Sequence, residues 1–109
     1  AVAFIEKNYQ RDITLEDMVA VSGLSKYHFT RLFSKVMRIT PIRYLTKIRI
    51  QHALDLLQQS DRSIEDISRA VGYTSSNYFS KVFKNLLGES PSVYRQSKDY
   101  MPVDRLFIE

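Results

Sequence analysis

The chain repeats itself, and that repeat limits its possible folds more than any other feature. Thr14-Leu15-Glu16-Asp17-Met18 returns about 50 residues later as Ser63-Ile64-Glu65-Asp66-Ile67, and Gly23 returns as Gly72. After one inserted residue the matches resume. Ser25 pairs with Ser75, and Phe29-Thr30-Arg31-Leu32-Phe33 pairs with Phe79-Ser80-Lys81-Val82-Phe83. Thr40-Pro41 and Tyr44 pair with Ser90-Pro91 and Tyr94. Type and order agree too often for coincidence, so whatever one half builds, the other builds again.

Each half reads as a short helix, a tight turn and a second helix. Thr14 and Ser63 are good N-caps, because their hydroxyls can accept a first-turn N–H. The carboxylates that follow lie at the positive end of the helix dipole. Asp17 and Asp66 sit three residues past the caps, at capping-box spacing with Asp in place of Glu or Gln. Gly23 and Gly72 are expected to end these helices in the left-handed conformation that glycine accepts. Ser25 and Ser75 then cap the second helices. This is the helix-turn-helix pattern, written twice.

The second helices carry apolar stripes at i, i+3, i+4, i+7: Phe29, Leu32, Phe33 and Val36, then Phe79, Val82, Phe83 and Leu86. The opposite faces hold Tyr27, Arg31, Ser34 and Arg38 in one unit and Asn77, Lys81 and Lys84 in the other. Thr30, Lys35, Ser80 and Asn85 flank them. Every one of these residues can form hydrogen bonds, and none is acidic.

Pro41 and Pro91 suit the first position of further helices, where a missing N–H costs nothing. The helix from Pro41 to about Gln58 has apolar residues on more than one side, including Ile42, Leu45, Ile48, Ala53 and Leu57. It therefore reads as a rod packed between the units. An opening helix and a short closing helix complete the expectation. The chain should be all-α, with seven helices and no strand: two helix-turn-helix units (about residues 14–38 and 63–87) joined by a long central linker helix (about 41–58).

Composition narrows the function. A chain of 109 residues makes one ordinary domain, and its lack of cysteine removes disulfides, thiolate chemistry and Cys-based zinc sites. No apolar run approaches the roughly 18 residues of a membrane span, and no signal peptide opens the chain, so the expected home is the cytoplasm. The net charge of +4 is modest, but its distribution is not. From Met18 to Leu54 there is no acid, while Lys26, Arg31, Lys35, Arg38, Arg43, Lys47 and Arg49 are basic. Acids gather instead at Glu6, Asp12, Glu16, Asp17, Glu65 and Asp66. Such segregation suits a polyanion, although a merely solvated face would look alike.

At this point the residues resemble the DNA-binding domain of the AraC/XylS family. The second unit carries the resemblance best: Gly72-Tyr73, Tyr78-Phe79-Ser80-Lys81-Val82-Phe83-Lys84, Gly88-Glu89-Ser90-Pro91 and Tyr94-Arg95. Arg49-Ile50 with Ala53 and Leu56-Leu57 is similar to that family's linking helix. The match covers about residues 1–97 and leaves the tail 98–109 without a counterpart. The resemblance implies two helix-turn-helix subdomains on one long helix, in regulators that mostly activate transcription and carry a separate sensing domain. Val19 and Ser68 replace the family's usual alanines, and Arg38 stands where Gly88 stands in the other unit.

Arg31 is the first choice for reading a base, since its fork can bond guanine O6 and N7 together. A phosphate contact or a free surface arginine is the plainer alternative. Tyr27 and Thr30 could meet a thymine methyl or a phosphate, with packing against the linker the alternative for Tyr27. In the second unit Asn77 suits adenine, Lys81 suits guanine or phosphate, and Ser76 and Ser80 suit either. Lys26, Ser34, Lys35, Arg43, Lys47 and Lys84 are expected on phosphates, with Thr40 and Ser90 at helix starts. Arg49 reads as structural.

Enzyme readings fail. His28 and His52 have no metal spacing, Glu16-Asp17 and Glu65-Asp66 are explained by capping, and no phosphate loop or Ser/His/Asp order appears. No metal or cofactor is expected. The competing function is a helical protein-interaction module docking on RNA polymerase or a partner regulator. It explains the apolar stripes but not the acid-free polar faces. Ala1 opens a helix-forming stretch without an initiating methionine, as expected of a piece whose sensor domain lies upstream.

Overall fold

The computed structural model describes residues 1–96, which form α1 (Val2–Asn8), α2 (Leu15–Ser22), α3 (Lys26–Met37), α4 (Pro41–Gln59), α5 (Ile64–Ala70), α6 (Ser76–Leu87) and α7 (Pro91–Gln96). Among the described residues there is no strand. The tail 98–109 lies outside them.

Caps set the helix starts as the residue types require. Thr14 and Asp17 form the full reciprocal box: the Asp17 N–H donates to Thr14 Oγ1 at 3.1 Å, and the Thr14 N–H donates to Asp17 Oδ2 at 2.9 Å. The second unit keeps only half of it. The Asp66 N–H donates to Ser63 Oγ at 3.0 Å, but the Asp66 carboxylate takes Arg69 Nη2 at 3.4 Å instead. Ser25 and Ser75 cap α3 and α6 by accepting from the His28 and Tyr78 N–H groups, each at 3.2 Å.

Two cores lie along α4. Tyr44, Leu45 and Ile48 enter the first, with Ile5, Met18, Phe29 and Phe33. Ile50, Ala53, Leu54 and Leu57 enter the second, with Ile67, Phe79, Phe83 and Tyr94. Each core holds the same aromatic ladder. Phe29–Phe33–Tyr44 has centroid steps of 5.7 and 5.7 Å, and Phe79–Phe83–Tyr94 has steps of 5.8 and 5.5 Å. The shared rod is thus buried on more than one side. Ile42, at its solvent-facing start, is exposed.

The apolar stripes behave differently in the two units. Val82 and Leu86 pack against the core built on α4. Leu32 and Val36 are 53% and 66% exposed, bordering an open groove with Ala1, Val2 and Leu24. Periodicity marks a side as apolar; a neighbour must still cover it.

Helix ends also depart from symmetry. Gly23 closes α2 in the left-handed region (φ 73°), as expected. In the second unit Val71, at φ −98°, is the cap, and Gly72 turns only after it, at φ 106°. Arg38 ends α3 as Gly88 ends α6. It takes φ 63° itself, and its N–H donates to the Ser34 carbonyl at 2.9 Å. A side chain in this region costs roughly 1–2 kcal/mol, and glycine's freer unfolded state offsets about half of any relief. Arg38→Gly should therefore stabilise the domain by about 0.5–1 kcal/mol, read as a higher urea midpoint.

Candidate nucleic-acid interface

The residues of the first unit expected to read bases, Tyr27, Thr30 and Arg31, come together on α3. Lys26, Tyr27, Thr30, Arg31 and Ser34 line one shallow surface. Tyr27 is 68% exposed, so little of its ring is left to pack against the linker. It holds Arg31 instead: Arg31 Nη1 donates to the Tyr27 hydroxyl at 3.4 Å, and the guanidinium carbon lies 6.0 Å from the ring centroid. Arginine has five donors in a rigid fork, so this long bond leaves the guanidinium able to engage a partner with two acceptors. Thr30 and Ser34 are half-buried beside it.

Lys35 occupies the neighbouring side of α3, where it borders a second shallow surface with Leu24, His28 and Leu32. Lys26 Nζ lies 3.3 Å from Glu16 Oε2, tying the start of α3 to α2. The backbone N–H at the helix start, and then Lys26, hold the Glu16 carboxyl below its ordinary range. Both partners are largely exposed, so the pair is weak and a phosphate can compete for the lysine.

On α6, Asn77, Lys81 and Lys84 are exposed, while Ser76 and Ser80 are half-buried. Tyr78 stands beside Asn77, 61% exposed, with its ring 5.9 Å from that of Tyr73. The sequence reading passed over Tyr78, whose repeat partner is His28; an aromatic or imidazole ring at the same place in both units was the available clue. His28 Nδ1 lies 3.2 Å from Ser25 Oγ, and His52 stacks on Tyr9 at 4.3 Å.

Thr40 Oγ1 accepts from the Arg43 N–H at 3.3 Å, and Ser90 Oγ accepts from the Val93 N–H at 3.3 Å. Each hydroxyl keeps its own proton to donate outward. Arg43 and Lys47 lie on the first half of α4, next to α3's end of the rod. None of the acids lies on α3 or α6 themselves. Glu16 and Asp17 serve the start of α2, and Glu65 and Asp66 pair with Arg69 at 3.3 and 3.4 Å.

Two helix-turn-helix units on one shared rod, each presenting an acid-free polar recognition helix, define a DNA-binding domain. Comparison with known proteins agrees. Residues 18–97 match the family model described as a helix-turn-helix domain. The chain is 37% identical over 94 residues to the MmsAB operon regulatory protein of Pseudomonas aeruginosa, covering 86% of this chain and 31% of that protein. It is 43% identical over 95 residues to the lactose operon transcription activator of Staphylococcus xylosus, covering 87% and 34%. The crystal structure of the DNA-binding domain of the transcriptional factor AdpA, in complex with a target DNA, superposes with a TM-score of 0.82 at 28% identity, covering 86% of this chain and 85% of that one. The chain belongs to the AraC family of helix-turn-helix DNA-binding domains. It spans about a third of the length of the curated relatives it matches.

Among the described residues no helix is long and apolar enough to cross a membrane.

Proposed function

We propose that this domain is the DNA-reading end of a transcription activator, binding one asymmetric two-part site with α3 and α6 in successive major grooves. The observation that carries the reading is the tandem itself. Two polar, acid-free helices recur within one chain on one shared rod, α4, instead of being supplied by two identical subunits. In this reading Tyr27, Thr30 and Arg31 meet bases in one groove, and Ser76, Asn77, Ser80 and Lys81 meet them in the next. Lys26, Ser34, Lys35, Thr40, Arg43, Lys47, Lys84 and Ser90 grip the backbone, which sets register without reading sequence.

Activation follows the name of the lactose operon relative. About two-thirds of that relative's length lies outside the shared stretch, which leaves room for a sensing domain in a full regulator. RNA polymerase is the partner an activator of this kind would need.

Paired substitutions on α3 test the assignment. Arg31→Ala should cost about 1–3 kcal/mol of binding and relax preference at one base position, whereas Lys35→Ala should weaken all sequences alike. Competition among single-base variants of a site selected from random DNA reads both. An equal loss on every sequence for Arg31→Ala would move Arg31 to phosphate duty.

A further inference from the structure

The two units are tied together at a second place besides the continuous backbone of α4. Arg49 lies on α4 between Ile48, which enters the first core, and Ile50, which enters the second. Its Nε donates to the Tyr9 carbonyl and its Nη2 to the Arg11 carbonyl, each at 2.9 Å. Both acceptors belong to the segment between α1 and α2, which leads directly into the first unit. The same guanidinium lies over Tyr73 of the second unit, 5.2 Å from the ring centroid. Tyr73 is buried and packs on Phe79 of α6, with centroids 5.4 Å apart.

The backbone closes in around this group. Gly72 has φ 106°, and a Cβ there would run into the Tyr9 carbonyl oxygen and stand 2.9 Å from Arg49 Nε. The Tyr9 ring stacks on His52 of α4, 6° from parallel, and Tyr9 packs against both cores. The turn that leads into α6 is therefore pressed onto the chain that leads into α2, with Arg49 between them.

This has a mechanical consequence. Units joined by one helix alone can roll about its axis as the helix bends and twists. A second connection, away from that axis, removes the roll. We infer that Arg49 is a positioning residue for DNA reading: with Tyr9, Gly72 and Tyr73 it fixes the angle between α3 and α6, and so the half-site spacing the domain accepts. The inference rests on the two-groove reading above. In this role Arg49 acts through the two helices it positions and needs no base contact of its own.

Lysine is the discriminating replacement. Arg49→Lys keeps the stem and the charge, but a single ammonium cannot serve two carbonyls in fork geometry while stacking on a ring. The probe is a two-part duplex selected from random DNA with the unsubstituted chain, remade with its half-sites one or two base pairs closer or farther apart. Each half-site is also made alone. Arg49→Lys and Arg49→Met should bind the isolated half-sites about as the parent chain does. On the parental two-part duplex they should lose about tenfold or more of the about 10²–10⁴-fold that linking two reading heads supplies, and the preference for parental spacing should flatten.

Unchanged spacing preference in the folded Arg49→Lys chain, whether affinity drops uniformly or not at all, overturns the inference. Failure of the underlying reading shows elsewhere. In that case the unsubstituted chain would bind an isolated half-site as tightly as the two-part duplex.

Discussion

Between about 50 and about 200 mM salt, the affinity of this domain for its DNA should fall about 10³–10⁵-fold. The size follows from the charges on the proposed interface. Each neutralised phosphate releases about 0.9 condensed counterions, so affinity falls with that power of salt concentration. Five proposed backbone cations (Lys26, Lys35, Arg43, Lys47 and Lys84), with Arg31 and Lys81 close by, bring the count to about six or seven phosphates, near the lower end of the range. The Lys26–Glu16 pair barely opposes this, because it is exposed on both sides and itself screened as salt rises. Filter binding or fluorescence anisotropy across a salt series measures the slope. A flat response would remove the DNA reading and leave protein interaction as the function of the polar faces.

What the sequence disclosed, and what it withheld, divides by range. Caps, turns and stripes are local, and they were legible. Thr14, Ser25, Thr40, Ser63, Ser75 and Ser90 all accept the first-turn N–H groups their positions suggest. All seven helices were foreseen, and α4 ends one residue beyond its expected Gln58. The features that local patterning left open depend on which partner a side chain or turn meets, most often one far along the chain. Leu32 and Val36 share a stripe with Phe29 and Phe33, yet nothing in that stripe says which side meets a neighbour. Gly72 looked like a second Gly23; its actual constraint is the Tyr9 carbonyl, about 60 residues away. Asp66 had the capping-box spacing, but Arg69 one turn on competes for its carboxylate. Arg49 reads as structural from its place on the linker, and its contacts are structural; what spacing leaves out is their reach, to the Tyr9 and Arg11 carbonyls on one side and the Tyr73 ring on the other. On the recognition face, sequence spacing grouped Tyr27, Thr30, Arg31 and Ser34 correctly, since one helix positions them all. That Tyr27 steadies Arg31 follows from two rotamers, which no pattern of residue types records.

Inserting about 5 base pairs between the two half-sites should abolish two-part binding, because it turns the second major groove to the opposite face of the duplex. The distances explain why the domain cannot follow. The 19 residues of α4 span about 28 Å at 1.5 Å per residue. The two-groove reading asks the recognition helices, held along that rod, to reach grooves about 34 Å apart, one turn of DNA. The longest dimension of the fold, 44 Å, accommodates that separation. Fitting two rigidly held helices to a stiff duplex should also bend it, at about 1–6 kcal/mol. An insertion of about 10 base pairs restores the facing but doubles the separation to about 68 Å, beyond any extent of the fold. Binding should not recover. This outcome separates a rod from a tether: a flexible linker would regain much of its affinity once the phase was right. Footprints on the parental, 5-pair and 10-pair duplexes give the answer directly. Binding of the 5-pair duplex at parental affinity, with one half-site protected as before, would mean that only one unit engages specifically, leaving α6 as a clamp or a surface for another protein.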